Sequence, residues 1–255
     1  MKWFVSLMLL GLAVPAQAQV LFTGRAQTFH YADESVQAVA NAAAKQEYLE
    51  FRKNDALARN TPMQTALEEL LQSVVAQAKV LRPRLGTLNW RVLLVRDADY
   101  TMTAKPNGLI TISELYLRER AYTNEELAFL MAHEVAHVAA EHVREELSAV
   151  PRHYKPGVSI SALQAAQLLI QRASVFEDMA PMRRSQELEA DLIGALLVRP
   201  LGISGPQLLT AFDRMARADI GYQMTDDHDP ALVRKQKLAQ ALARFNTEIK
   251  QASAQ

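Results

Sequence analysis

The chain has 255 residues, with 28 basic side chains against 28 acidic ones, and it contains no cysteine. The absence of cysteine excludes disulfides, thiol catalysis and cysteine-based zinc sites. The neutral charge balance, without a basic stripe, gives no electrostatic support for nucleic-acid binding. The length suits a single domain.

The N-terminal residues have the pattern of a secretory signal. An apolar run over residues 3–14 follows Lys2, and small residues, Ala16 and Ala18, stand at positions −3 and −1 of a cleavage site. This predicts a signal peptide over residues 1–18. The run is too short for a stable anchor, and no later apolar stretch is long enough for a transmembrane helix. For a cysteine-free chain that looks bacterial, the pattern predicts a periplasmic location.

Helices and short strands are predicted before the first motif. Residues 33–58 have the pattern of a helix, and a second helix begins at Thr61 and ends near Arg82. The strands are short and bounded by turn residues, and they are predicted at residues 88–95, 100–103 and 109–113. Strands followed by further helices indicate an α+β chain.

His133-Glu134-Val135-Ala136-His137 is the only HExxH in the chain. Two histidines four residues apart on a helix project from one face, so both imidazoles can bind one metal ion. Glu134 lies about 100° from His133 around the helix axis, where its carboxylate can reach the attacking water without being a ligand. These residues form the core of a zinc hydrolase. The pentapeptide alone also recurs by chance on charged helices.

The surrounding sequence predicts a long helix with a buried face. Thr123 and Glu126 form a capping box, and an apolar stripe runs to about Leu147 without Gly or Pro. His142 would lie about 140° from His137 on such a helix. It is therefore predicted to be a surface residue, or one that supports the ligands from behind, and not the third ligand.

A later helix, predicted over residues 184–199, offers a better third ligand. A catalytic zinc usually has three protein ligands and one open position. Glu187 and Asp191 lie four residues apart on one face, so one can bind metal while the other orients a ligand histidine. Glu189 points away from both and is predicted to be solvated.

The two motifs together resemble the Ste24-type zinc metallopeptidases, relatives of the CAAX prenyl protease. That family pairs HExxH with E-x-E-A-D-x-x-G, which residues 187–194 match. The resemblance implies an α+β fold, with a mostly helical, gluzincin-like zincin core and a small β-sheet. It implies one Zn²⁺ per chain, with the following set of residues: ligands His133, His137 and Glu187, general base Glu134, and Asp191 as the partner of a ligand histidine.

Two further segments extend the resemblance. Residues 104–113 resemble the turn and edge strand that precede the metal helix in that family. Unpaired backbone groups of an edge strand can bind an extended peptide, and here they are predicted at Leu109, Ile110, Thr111, Ile112 and Ser113. His228, with Asp229, Pro230 and Arg234, resembles the family's H-P-x-x-x-x-R segment with one inserted residue. In periplasmic relatives this histidine approaches the zinc, so His228 is predicted to inhibit or assist at the open position; an exposed histidine is the alternative.

The remaining sequence completes the predicted organisation. Residues 148–183 are irregular and form either a lid over the cleft or a packing excursion. Further helices are predicted at about 159–173, 204–217 and 230–249. The predicted units are a signal peptide over 1–18, a helical segment over 19–60, a metallopeptidase domain over 61–249 and a flexible tail over 250–255.

These predictions favour a periplasmic zinc endopeptidase that cuts unfolded or misassembled envelope proteins, with outer-membrane assembly factors as candidate partners. One alternative is a chaperone-like binding module with a structural zinc. Glu134 argues against it, because a structural site needs no general base. The other alternative is a helical scaffold with a chance motif, which two motifs in helical register disfavour.

Overall fold

The computed structural model describes residues 16–154, 157–218 and 229–252, and within them the chain is mostly helical with two small sheets. The strands are β1 Ala16–Gln19, β2 Ala26–Phe29, β3 Arg91–Val95, β4 Met102–Ala104 and β5 Leu109–Ser113. The helices are α1 Asp33–Lys53, α2 Thr61–Leu81, α3 Glu114–Arg120, α4 Asn124–Ala139, α5 His142–Tyr154, α6 Ala162–Gln171, α7 Ala173–Asp178, α8 Ala180–Val198, α9 Gly205–Ala218 and α10 Ala231–Ala252. The predicted α+β class is confirmed.

Helix α4 carries the HExxH motif and begins at the predicted capping box. The backbone N–H of Glu126 donates to the Thr123 hydroxyl at 3.3 Å, and the N–H of Thr123 donates to the Glu126 carboxylate at 2.8 Å. Two of the otherwise unpaired N-terminal donors are thereby satisfied. The helix lies in the main hydrophobic core, where it packs against α2, α8 and α9.

The prediction that this helix continues to Leu147 is wrong. Glu141 has a φ of +56°, in the left-handed region, so α4 ends at Ala139 and α5 starts at His142 in a new direction. The last carbonyls of α4 are bonded by side chains from elsewhere. Gln27 donates to Ala140 O at 2.8 Å, and Arg84 donates to Val138 O at 3.2 Å. These distant donors favour the break and are invisible in the local sequence.

The larger sheet has the order β3-β5-β4, with β3 parallel and β4 antiparallel to β5. The prediction that Leu109–Ser113 is an edge strand is therefore wrong, because β5 is paired on both sides and all five residues are buried. The turn at Gly108, with φ +82°, folds β4 back onto β5. The edge strand that packs against α4 is β4.

The described residues between 148 and 183 belong to a second hydrophobic cluster. Buried side chains of α5, α6 and α7 pack around Tyr31 and Val36, with Val150, Ala165 and Val175 among them. This packing favours the excursion over the lid.

The smaller sheet is a hairpin at the start of the described chain. Strand β1 pairs antiparallel with β2, with Ala18 opposite Gln27. The segment between them places Val20 in the main core. Cleavage at the predicted position after Ala18 would leave only Gln19 of β1 and would keep all of β2.

Candidate metal centre

Three side chains from two helices converge between α4 and α8. The Nε2 atoms of His133 and His137 lie 3.0 Å apart. Glu187 directs one carboxylate oxygen to each of them, with Oε2 at 3.3 Å from His133 and Oε1 at 3.3 Å from His137. Tetrahedral ligands at zinc-to-ligand distances of about 2.0 Å are themselves about 3.3 Å apart. Two imidazole nitrogens and one carboxylate oxygen are also a ligand set that Zn²⁺ takes in hydrolases. The three residues therefore fit a zinc ion.

Close helix packing brings these residues together. His133 and His137 lie one turn apart on α4, and their ring centroids are 4.7 Å apart. On α8, a Cβ atom added to Gly194 would lie 2.9 Å from the backbone N of His133. Only a glycine lets the two backbones approach this closely, and the approach aligns Glu187 with both histidines.

His133 is held from behind by a buried carboxylate. Its Nδ1 lies 3.0 Å from Asp191 Oδ1, and Asp191 is 1% exposed. Arg234 of α10 donates to both Asp191 oxygens at 2.7 and 2.9 Å. Burial alone would raise the pKa of Asp191, but the charge of Arg234 and the bond to His133 hold it below its usual value. The anionic Asp191 thus turns Nε2 of His133 toward the centre.

A metal that binds at this centre competes with a proton on His133. Burial opposes protonation of His133, but hydrogen bonds to Asp191 and Glu187 raise its pKa to about 10. Burial likewise opposes ionisation of Glu187, yet the neighbouring His137 and His133 hold its pKa well below normal. Because a metal binds the neutral imidazole, metal binding is expected to weaken as the pH falls.

His142 lies behind His137 and not on the surface. Its side chain is fully buried, and its Nδ1 is 3.0 Å from Nδ1 of His137. Burial lowers the pKa of His142 to about 4, so the ring is neutral. Of the two predicted alternatives the surface position is wrong, because the break at Glu141 turns His142 back toward α4.

Glu189 is also buried, so the prediction of a solvated carboxylate is wrong. It is 5% exposed, and it accepts hydrogen bonds from Thr23 at 2.9 Å and from Arg25 at 2.8 and 2.9 Å. Burial would raise its pKa, but His142 and Arg25 lower it to about 2. The helical register correctly predicts that Glu189 points away from the zinc ligands. It does not reveal that the N-terminal segment covers this face of α8.

Glu134 lies beside the centre and next to the free edge of β4, the edge that pairs with no other strand in the described part of the chain. Its side chain is half-buried, and burial raises its pKa above the usual glutamate value. The backbone of Ala104, at the end of β4, forms a hydrogen bond with the Glu134 carboxylate. An open pocket of about 310 Å³ lies beside Ala104 and His137.

Other predicted site residues lie elsewhere. Strand β5 is separated from α4 by the position of β4 in the sheet, and the Thr111 hydroxyl donates to Glu47 at 3.0 Å. His228 lies outside the described residues. Arg234 lies in the segment that resembles the family's H-P-x-x-x-x-R pattern, and the sequence predicts no role for it. In the structure it contacts Asp191 at 2.7 Å and Glu187 at 3.3 Å.

Comparisons with known proteins agree with this geometry. The model of peptidase family M48 matches residues 61–242. The chain is similar to the metalloprotease LoiP of Escherichia coli K12, with 28% identity over 160 residues, 59% of this chain and 61% of that protein. It is also similar to the mitochondrial metalloendopeptidase OMA1 of Saccharomyces cerevisiae, with 25% identity over 164 residues, 61% of this chain and 46% of that protein. The match spans less than two thirds of either relative. Because the family model covers well over half of the sequence, the chain belongs to peptidase family M48.

Proposed function

We propose that this protein is a zinc-dependent endopeptidase of the Ste24 type within its family. The observation that carries the proposal is the convergence of His133, His137 and Glu187 beside a half-buried Glu134. The names of the two relatives, a metalloprotease and a metalloendopeptidase, support the same reaction. A structural site would have no use for a carboxylate placed next to the ligands but outside the ligand set.

The described residues can divide the chemistry as follows. His133, His137 and Glu187 would hold Zn²⁺, which when bound polarises the scissile carbonyl and makes water a better nucleophile. A carboxylate oxygen of Glu134 takes the proton of the attacking water and later delivers it to the leaving amine nitrogen. Burial raises the pKa of Glu134 toward neutral pH. This suits a group that must first accept a proton and then donate it.

The free edge of β4 is the proposed place for the substrate backbone. Lys105 N–H donates to Leu109 O and Ser113 N–H donates to Thr101 O, so alternate residues of this strand face β5. Met102 and Ala104 therefore direct their backbone groups to the free edge. A peptide that pairs there would pass next to Glu134, and main-chain pairing requires only that the peptide be extended.

The pocket beside Ala104 gives little preference for charged substrate side chains. Its two arginines, Arg84 and Arg144, each lie within 3.3 Å of Glu141, and Arg84 is 3.5 Å from Asp33. Two cations against two carboxylates leave the pocket without excess charge. Recognition of an extended backbone with a weak side-chain preference favours unfolded or misassembled proteins as substrates.

A proline at Ala104 tests this substrate edge. Ala104→Pro removes the outward N–H, and we expect KM to rise about three- to tenfold, the value of one backbone hydrogen bond. Because this N–H also donates to the Glu134 carboxylate, kcat should fall as well, and KM is the value that reports on substrate pairing. Ala104→Ser keeps the N–H and should retain the wild-type KM. Peptide kinetics and zinc content are measured for both variants. A proline variant with normal zinc and an unchanged KM would place the substrate elsewhere.

The location and the partners are part of the proposal. The pattern over residues 1–18 supports export to the periplasm, where envelope proteins would be the substrates and outer-membrane assembly factors the candidate partners. None of the helices that the structure describes is long and apolar enough to cross a membrane. Fractionation of cells that express the full chain tests the location; a cytoplasmic, unprocessed product would contradict it.

We also propose that His228 restrains the protease by taking the open metal position at rest. The support is the sequence resemblance alone, since residue 228 lies outside the described residues. In a casein assay, His228→Ala should show higher basal cleavage than the wild type. Lower cleavage would mean that His228 assists the reaction, and unchanged cleavage that it does not reach the metal.

Casein digestion tests the function itself. The zinc-loaded protein should degrade casein, a chelator should stop the reaction, and added zinc should restore it. A zinc-loaded protein that binds casein and leaves it intact would favour the chaperone-like alternative.

A further inference from the structure

The two imidazoles of the proposed zinc site are supported by different parts of the chain. Behind His133 stands a single carboxylate, Asp191, which Arg234 of α10 holds in place. Behind His137 stands another histidine, His142, at 3.0 Å between the two Nδ1 atoms. His137 is therefore supported by a longer series of contacts than His133. The last residue of that series lies in another part of the molecule.

The next member of this chain of contacts is Glu189. Nε2 of His142 lies 3.3 Å from Glu189 Oε2, within ion-pair distance though without the alignment of a hydrogen bond. Both side chains are buried. A buried carboxylate needs further partners, because an unpaired charge in the interior is strongly destabilising.

Arg25, from the segment between β1 and β2, supplies those partners. Its Nε and Nη2 donate to the two oxygens of Glu189 at 2.8 and 2.9 Å. Its Nη1 and Nη2 donate to the two oxygens of Glu145 at 2.6 and 2.7 Å. One guanidinium thus joins α5, which carries Glu145, to α8, which carries Glu189, and both carboxylates accept paired N–H groups in the geometry that arginine favours.

Side chains around Glu145 tie the same network to the end of α4. Gln27 donates both to Glu145, at 3.0 Å, and to Ala140 O, at 2.8 Å. Gln186 donates to Glu145 at 2.9 Å. The N-terminal segment therefore fixes both the position of His142 and the point where the metal helix ends.

The contacts also determine where the imidazole protons lie. Nε2 of His137 faces the centre, 3.3 Å from Glu187, so Nδ1 faces His142. A neutral imidazole that binds a metal through Nε2 carries its proton on Nδ1, and this proton can be donated to Nδ1 of His142. His142 then carries its own proton on Nε2, facing the Glu189 carboxylate. The Glu189 carboxylate, 3.3 Å from Nε2, favours the proton there by its charge and without an aligned hydrogen bond.

We propose that Arg25 is a positioning residue for the metal centre, which acts through Glu189 and His142 to fix the ring orientation and the tautomer of His137. The proposal rests on the proposed zinc site. The N-terminal segment thereby becomes part of the metal site, although Arg25 itself contacts neither ligand nor substrate. Partners of ligand histidines typically change metal affinity by about 10–100-fold when they are removed.

The test is zinc affinity by chelator competition, in a full chain that carries Glu134→Gln to prevent self-digestion. We expect Arg25→Met to weaken zinc binding about tenfold. Asp191→Asn removes the carboxylate that contacts His133 directly, and its loss of zinc affinity is the value with which Arg25→Met is compared. Arg25→Lys keeps the charge but loses the paired geometry, so it should show a smaller loss in the same direction. If Arg25→Met does not fold, the zinc affinity of Arg25→Lys tests the proposal instead.

The matched control is Arg214→Met. Arg214 bonds the buried Glu126 at 2.6 Å, and its side chain is 31% exposed, against 28% for Arg25. It anchors the other end of α4 and has no described contact with His142. Arg214→Met should lower stability in urea, as Arg25→Met does, while its zinc affinity stays equal to that of the Glu134→Gln parent protein.

A second readout separates positioning from stability. Nitrogen-15 NMR of the zinc-loaded protein should show His137 as the Nδ1-protonated tautomer with a single sharp signal, which broadens or divides in Arg25→Met. The zinc losses of Arg25→Met and Glu189→Gln should be less than additive, because both act along one series of contacts. An Arg25→Met protein with the zinc affinity of Arg214→Met and an unchanged His137 signal would overturn the proposal. Failure of the wild type to take up zinc would instead overturn the proposed function, and this proposal with it.

Discussion

Glu134→Gln should bind zinc like the wild type and lose almost all proteolysis. The amide has the shape of the carboxylate but cannot accept the proton of the attacking water, and positioned acid–base groups typically contribute about 10²–10⁴-fold to the rate. His133, His137 and Glu187 are untouched, so the metal should remain. The measurement is casein cleavage by protein whose zinc content has been determined.

The matched control is Glu125→Gln, the same substitution in the first turn of the same helix. It should keep both zinc and activity. Full cleavage by a zinc-loaded Glu134→Gln protein would show that Glu134 is not the base.

The pH dependence gives the same assignment an independent check. Burial raises the pKa of Glu134, so the carboxylate is protonated and inactive over a wider acidic range than an ordinary glutamate. Activity should therefore fall on the acidic side at a higher pH than an unperturbed glutamate would give. Zinc binding also weakens at low pH, so the activity is expressed per bound zinc. On that basis, the residual activity of Glu134→Gln should lack this acidic limb.

Local signals in the sequence predicted the parts of the site that follow from helical geometry. Residues four apart on a helix share a face wherever the helix lies, so the spacing within HExxH and between Glu187 and Asp191 carried over directly. The Thr123 capping box is similarly local and is confirmed. The assignment of Glu187 came from the family resemblance, and the structure places it 3.3 Å from both histidines.

Features that depend on distant residues could not be predicted in this way. The left-handed conformation of Glu141 is stabilised by Gln27 and Arg84, which are far away in sequence, and nothing in the apolar stripe indicates a break. The expected position of His142 rested on a continuous helix that the break at Glu141 interrupts. The burial of Glu189 was missed for another reason, because Thr23 and Arg25, which cover it, are more than 160 residues away in the sequence. A run of branched residues likewise predicts a strand at Leu109–Ser113 but not its neighbours, so its central position followed only from the pairing.

Glu187→Ala should abolish tight zinc binding while the protein stays folded. Glu187 is the one ligand that α8 contributes, and its removal leaves two imidazoles and no carboxylate in the set. It also removes an ion-pair partner of Arg234, which retains Asp191 as its main partner. The fold is checked by circular dichroism, and Glu177→Ala, an exposed glutamate of α7, is the matched control.

Zinc content per chain, measured by mass spectrometry on purified protein, tests the central claim most directly. The proposed site predicts one zinc per chain in the wild type, in Glu134→Gln and in Glu177→Ala, and almost none in Glu187→Ala. A wild-type protein without zinc, or a Glu187→Ala protein that retains one zinc per chain, would contradict the proposal that His133, His137 and Glu187 form the metal centre.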